Sequence, residues 1–158
     1  MKRQRVCMVV WVTLLTLGSA CAAEAGPDAT PDAFAAVSAD EARPLPPGEP
    51  FVEGRMGPAG GTIFAPTSAR LEHGSAYAFN LGHCGLGSPV DADGGFWDAV
   101  DGIGPAGGRL DLERDDEMIN PTSGVIVVIG DEARFRTETG SLIRFERHAG
   151  EKEFPGCA

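Results

Sequence analysis

The chain has 158 residues, 42% of them hydrophobic, which is enough for one ordinary domain and too few for several. Its formal net charge is −10 at pH 7. Setting aside Lys2, Arg3 and Arg5 leaves 10 basic against 23 acidic residues, a formal charge of −13. A surface of that sign repels phosphate backbones and anionic membrane faces, which excludes nucleic acid as the expected partner.

The N-terminus reads as a secretory signal peptide over residues 1–20. Lys2, Arg3 and Arg5 form the basic part, Val6 to Gly18 is an uncharged apolar run, and small residues follow to Ala23. As a helix that apolar run spans only about 20 Å, short of a hydrocarbon core of roughly 30 Å. Leu17-Gly18-Ser19-Ala20-Cys21 then resembles a bacterial lipobox, with Gly18 where most lipoboxes carry Leu. The resemblance implies diacylglyceryl transfer to the Cys21 thiol and cleavage just before it. That would make a membrane reached through the N-terminal lipid the expected partner, because two or three acyl chains anchor stably. Ordinary cleavage nearby, giving a secreted form, and an uncleaved anchor are the alternatives.

Residues 21–50 read as an Ala/Pro/acidic tether, with six prolines after Cys21 and Arg43 as the one basic residue. Such a stretch buries too little apolar surface to offset its ordering entropy. Thr30-Pro31-Asp32 carries the marks of a helix start, but the run ends by Pro44 and is too short to hold alone.

Residues 51–158 read as a small all-β domain, an antiparallel meander, sandwich or barrel-like fold. Tyr77, Phe79 and Leu81 alternate with Ala78 and Asn80, the period of a half-buried strand. Val90 to Val100 is expected to be a hairpin turning at Asp93-Gly94-Gly95. The glycine-rich stretch 102–108 is expected to be a loop. Gly124 to Ile129 is continuously apolar, whereas 133–137 and 142–147 alternate. A three-residue loop Glu138-Thr139-Gly140 sets Phe135 opposite Ile143 and Ala133 opposite Phe145, with Arg134 and Arg144 on the other side. A two-residue loop would mix the faces. By the same reasoning Gly130-Asp131-Glu132 as a three-residue loop pairs Val127 with Phe135. Ile126 and Val128 suggest a strand covered on both sides.

With Cys7 in the leader and Cys21 lipidated, Cys84 and Cys157 remain as a pair, and pairing is the default in an exported domain. The alternative, Cys84 as a nucleophile beside His83, sets two adjacent side chains on opposite faces of a strand. Asp91-x-Asp93-Gly94 is similar to the start of a calcium loop, yet the later ligands are missing and turn chemistry accounts for these residues. The acidic cluster Asp111, Glu113, Asp115, Asp116 and Glu117 reads as a solvated edge and turn. His73, His83 and His148 lack zinc spacing, and no nucleophile elbow, P-loop or dinucleotide fingerprint occurs. No cofactor and no metal are expected. Tyr77, His83 and Trp97 stand out as a candidate binding surface, weighed against packing in the core.

Tyr77 through Trp97, with His83-Cys84-Gly85, Asp93-Gly94 and Phe96-Trp97, followed by the stretch from Arg144 to Cys157, resembles small secreted or lipoprotein domains of actinobacteria. The likeness covers about 80 residues. It implies a cell-surface location, a β-rich fold and paired cysteines, and no activity. The expected function is therefore a membrane-anchored envelope lipoprotein with a non-catalytic binding or structural domain. The alternative is a small secreted hydrolase-like or metal-dependent enzyme.

Overall fold

The structure is a computed structural model that describes residues 37–49, 51, 54–67 and 70–156. The leader, Cys21, the helix start at Thr30 and Cys157 lie outside the described residues. Among the described residues seven strands are formed: β1 Thr62–Phe64, β2 Ala76–Leu81, β3 Trp97–Ile103, β4 Thr122–Ile129, β5 Glu132–Thr137, β6 Leu142–Arg147 and β7 Lys152–Phe154. One helical turn, α1 Asp116–Ile119, and a 3₁₀ turn at Gly85–Gly87 interrupt them. The domain is thus nearly all-β. A five-stranded antiparallel sheet runs β2-β4-β5-β6-β3, and β1 pairs with β7 in a small second sheet.

The β5–β6 hairpin has the register that alternation requires. Phe135 faces Ile143, Ala133 faces Phe145 and Arg134 faces Arg144. Gly140 adopts φ 97° at the end of the loop, in the left-handed region where glycine is at no disadvantage. The β4–β5 register departs from expectation by one residue. Phe135 faces Ile126 rather than Val127, Ile129 faces Glu132, and the loop is Gly130-Asp131 alone. Gly130 sits at φ 65°, the positive φ that a two-residue type II′ turn needs at its first position. The choice sets Tyr77, Ile126, Phe135 and Ile143 side by side across four strands on one face.

That face carries the core. Phe79 meets Phe135 edge-on at 5.4 Å, and Leu81, Val128, Phe145, Trp97 and Met118 complete a continuous buried cluster. Val125 and Val127, on the other face of β4, are buried as well, so β4 is covered on both sides as its apolar run suggested. Phe51, Phe64, Phe96 and Phe154 form a second aromatic group at the small sheet, with successive ring centroids 4.8–6.2 Å apart.

One further expectation is corrected. The segment 90–96 is not a hairpin arm: it holds one ladder-like bond, Trp97 N to Val90 O at 3.1 Å, and β3 pairs instead with β6. The reason is local. Asp91 and Asp93 accept from the Gly94 and Gly95 amides at 2.6 and 3.1 Å, so these turn donors need no partner strand. Residues ahead of Phe51 also meet the sheet. Arg43 bridges to Tyr77, accepting from Ala78 N at 2.8 Å and donating to Ala76 O at 3.1 Å. Leu45 packs against the core, and Arg136 donates to Val37 O. Strand β2 is an edge of the sheet, and Arg43 supplies part of the pairing that the edge lacks.

Candidate functional site

Along β6 the inward-facing residues are Ile143, Phe145 and, by the same period, Arg147. An arginine in an apolar row needs a buried acid, and the 90–96 loop delivers one. Arg147 Nη2 donates to Asp93 Oδ2 at 2.8 Å and Nη1 to Oδ1 at 3.3 Å. Trp97 Nε1 donates to the same Oδ1 at 3.2 Å, and the Arg147 guanidinium carbon lies 4.2 Å from the Trp97 ring centroid. Asp93 is 1% exposed at its side chain and Arg147 17%. With the Gly95 amide, Asp93 takes four hydrogen bonds, which use both oxygens. A carboxylate so engaged is an anchor for structure rather than a free base. A Cβ at Gly95 would lie 2.6 Å from Arg147 Nη1, so the guanidinium would have to shift to admit one.

A second set lies next to it on the outer face. Asp98, opposite Glu146 across the β3–β6 ladder, accepts from Lys152 Nζ, and His148 Nδ1 meets its Oδ2 at 2.8 Å. His148 Nε2 faces Glu151 O at 3.1 Å. Burial acts to raise the Asp98 carboxyl, but the hydrogen bonds from Lys152 and His148 outweigh it and hold the group below its ordinary range. Both nitrogens of the imidazole are occupied by acceptors, so this pair orders the end of the sheet.

The acidic cluster at 111–117 is not a solvated edge throughout. Asp115 caps α1, accepting from Glu117 N at 3.0 Å. Glu117 reaches the β5–β6 loop, where Ser141 Oγ donates to it at 2.6 Å and Thr139 donates as well. Burial pushes the Glu117 carboxyl up, and the hydrogen bonds from Ser141, Thr139 and Thr137 more than reverse this, leaving it lowered. Asp91 goes the other way: burial, helped by the neighbouring Asp93 charge, raises it despite the Gly94 amide.

The structure does not bring Tyr77 and Trp97 of the candidate binding surface together with His83. Trp97 is fully buried and Tyr77 is 7% exposed, its hydroxyl accepting from Glu72 N at 3.2 Å. They stand on β2 and β3, the two edges of the sheet, so packing and a satisfied polar tip describe them both. His83 is exposed on the turn after β2. Cys84 follows it at φ 74°, the one non-glycine residue at positive φ among those described. Reading by motif passes over Arg147, Asp98 and Lys152, and weighs His148 only as a zinc ligand. The inward period of Arg147 was the signal that would have found the first.

In a cleft of about 240 Å³ beside this cluster, Arg147 and His148 meet Thr67 and Arg70 from the loop after β1. Comparison of the chain with protein-family models, curated proteins and solved structures gives no match.

Proposed function

We propose that this chain is an exported protein held to a membrane by a lipid on Cys21, with a β-domain that binds or supports rather than catalyses. The observation that carries the reading is Cys21 itself, set behind Gly18-Ser19-Ala20 at the end of the apolar leader. The docked segment adds support. With Val37 already tied to Arg136, only residues 22–36 separate Cys21 from the domain, a reach of at most about 55 Å. A domain kept that close to its anchor suits work at the envelope surface. The saturated Asp93 and the doubly engaged His148 favour a structural use of the charged cluster over acid–base chemistry.

The experiment is the intact mass of the protein expressed with its leader in a bacterial host, together with its partition into detergent. A diacylglyceryl or triacyl mass on an N-terminal Cys21 is expected, and Cys21→Ser should abolish both mass and partition. An unmodified N-terminus at Ala23 or Glu24 would overturn the anchoring.

A further inference from the structure

We infer that the cleft beside the Asp93–Arg147 pair is a binding site for a single small oxyanion of the phosphate type, borne free or as a monoester. Arg70, Arg147 and His148 line it, and no carboxylate does. Arg147 is paired with Asp93 and both His148 nitrogens are engaged, so Arg70 and the spare Arg147 N–H are the donors left to it. In a chain of formal net charge −10, Arg70 brings to this cleft a positive charge that no carboxylate compensates. Among the described residues Arg70 is the one arginine or lysine with no hydrogen bond, ion pair or ring contact, while every other such residue has one.

Arg147 is held ready for a second acceptor. A guanidinium carries five N–H groups, and Asp93 takes two of them. Nε faces Asp131 at 3.4 Å without a hydrogen bond, and one N–H remains on each terminal nitrogen. These two diverge to either side of the Asp93 pair, so one of them can serve the cleft. Asp93 and Trp97 hold the plane of that group, so an anion would meet one fixed N–H rather than a mobile side chain. Gly95 and Gly150, the latter at φ 80°, form walls without side chains, and Thr67, its hydroxyl donating to Gly94 O at 3.3 Å, closes one side. The overall negative charge repels polyanions, and about 240 Å³ admits one phosphate-sized group with a small body attached. The ligand class is therefore a small monoanion or dianion, not a polymer.

The test uses the full chain carrying Trp11→Phe, which leaves Trp97 as its one tryptophan, titrated with inorganic phosphate at constant ionic strength made up with chloride. Because the Arg147 guanidinium lies over the indole, a saturable change in Trp97 emission is expected. Arg70→Gln should weaken binding about tenfold, the scale of one charge-assisted hydrogen bond, with an unchanged melting temperature because Arg70 holds no polar partner. Arg109→Gln, an exposed arginine paired with Asp101 away from the cleft, should bind as the parent does. Titration with a phosphomonoester in place of phosphate distinguishes the free from the esterified ligand by the tighter of the two. No saturable change with either would overturn the site. So would an Arg70→Gln or Arg70→Glu variant that folds and binds as the parent does, or an equal loss in Arg109→Gln.

Discussion

Arg147 and Asp93, 54 residues apart in the chain, close a two-pronged ion pair at 2.8 and 3.3 Å that lies almost wholly inside the domain. The pair ties the end of β6 to the loop that feeds β3, and the Trp97 ring lies against it. Asp93→Asn retains an oxygen for Trp97 Nε1 and Gly95 N but sets a neutral amide against a buried guanidinium. Breaking a buried pair in this way is expected to destabilise by about 3–5 kcal/mol. Denaturant unfolding followed by Trp97 fluorescence measures it, and a loss below about 1 kcal/mol would show that water reaches the pair.

Two glycines should rank differently on substitution by alanine. At Gly124 a Cβ would lie 2.1 Å from the Arg136 carbonyl oxygen, a backbone atom that cannot move without parting β4 from β5. At Gly130 the space is open and only the φ of 65° is unfavourable, which costs about 1–2 kcal/mol. Gly124→Ala should therefore be the more damaging of the two in thermal unfolding, and the reverse order would contradict the β4–β5 packing.

Asp91 and Glu117 should respond to pH with opposite signs. The Asp91 carboxyl is raised above its ordinary 3.8 in the fold, so its contribution favours folding only at low pH and is lost as pH rises through the folded value. Asp91→Asn, which can still accept from Gly94 N, should be more stable than the parent at about pH 7 and equal to it near pH 3. Glu117 is lowered below its ordinary 4.5, so its stabilisation is present above that value and disappears as pH falls through the folded one. Glu117→Gln should lose about 1.5 kcal/mol at neutral pH, the scale of a hydrogen bond to a charged group, and converge with the parent in acid. Melting curves of both variants across that range are the measurement.

For the cysteines the proposal is a bond between Cys84 and Cys157. Closing a loop of about 73 residues stabilises by about 4 kcal/mol on the chain-entropy account. Cys84→Ser and Cys157→Ser should then be equally destabilised, and the oxidised chain should take up no thiol reagent without denaturant. Ready alkylation of native Cys84, with Cys157→Ser nearly silent, would point instead to a reactive thiol.

Some of this architecture was legible in the residues themselves. The β5–β6 register followed from two alternating strands and one glycine, because a period of two assigns every side chain to a face and Gly140 supplies the turn. The alternation of Tyr77, Phe79 and Leu81 was equally local, and so were the turn roles of Asp91 and Asp93. Tertiary structure decided the rest. Strand β4 is apolar on both faces, so Ile126 and Val127 were equal partners for Phe135 until the turn at Gly130 and the row across four strands chose between them. Nothing near Arg43 announces a strand, and it is ordered only because the β2 edge has backbone groups to satisfy. The Asp93–Arg147 pair depends on two segments far apart in the chain meeting at one end of a sheet. Periodicity and turn chemistry act over a few residues, whereas a buried charge finds its partner only when the whole sheet has closed around it.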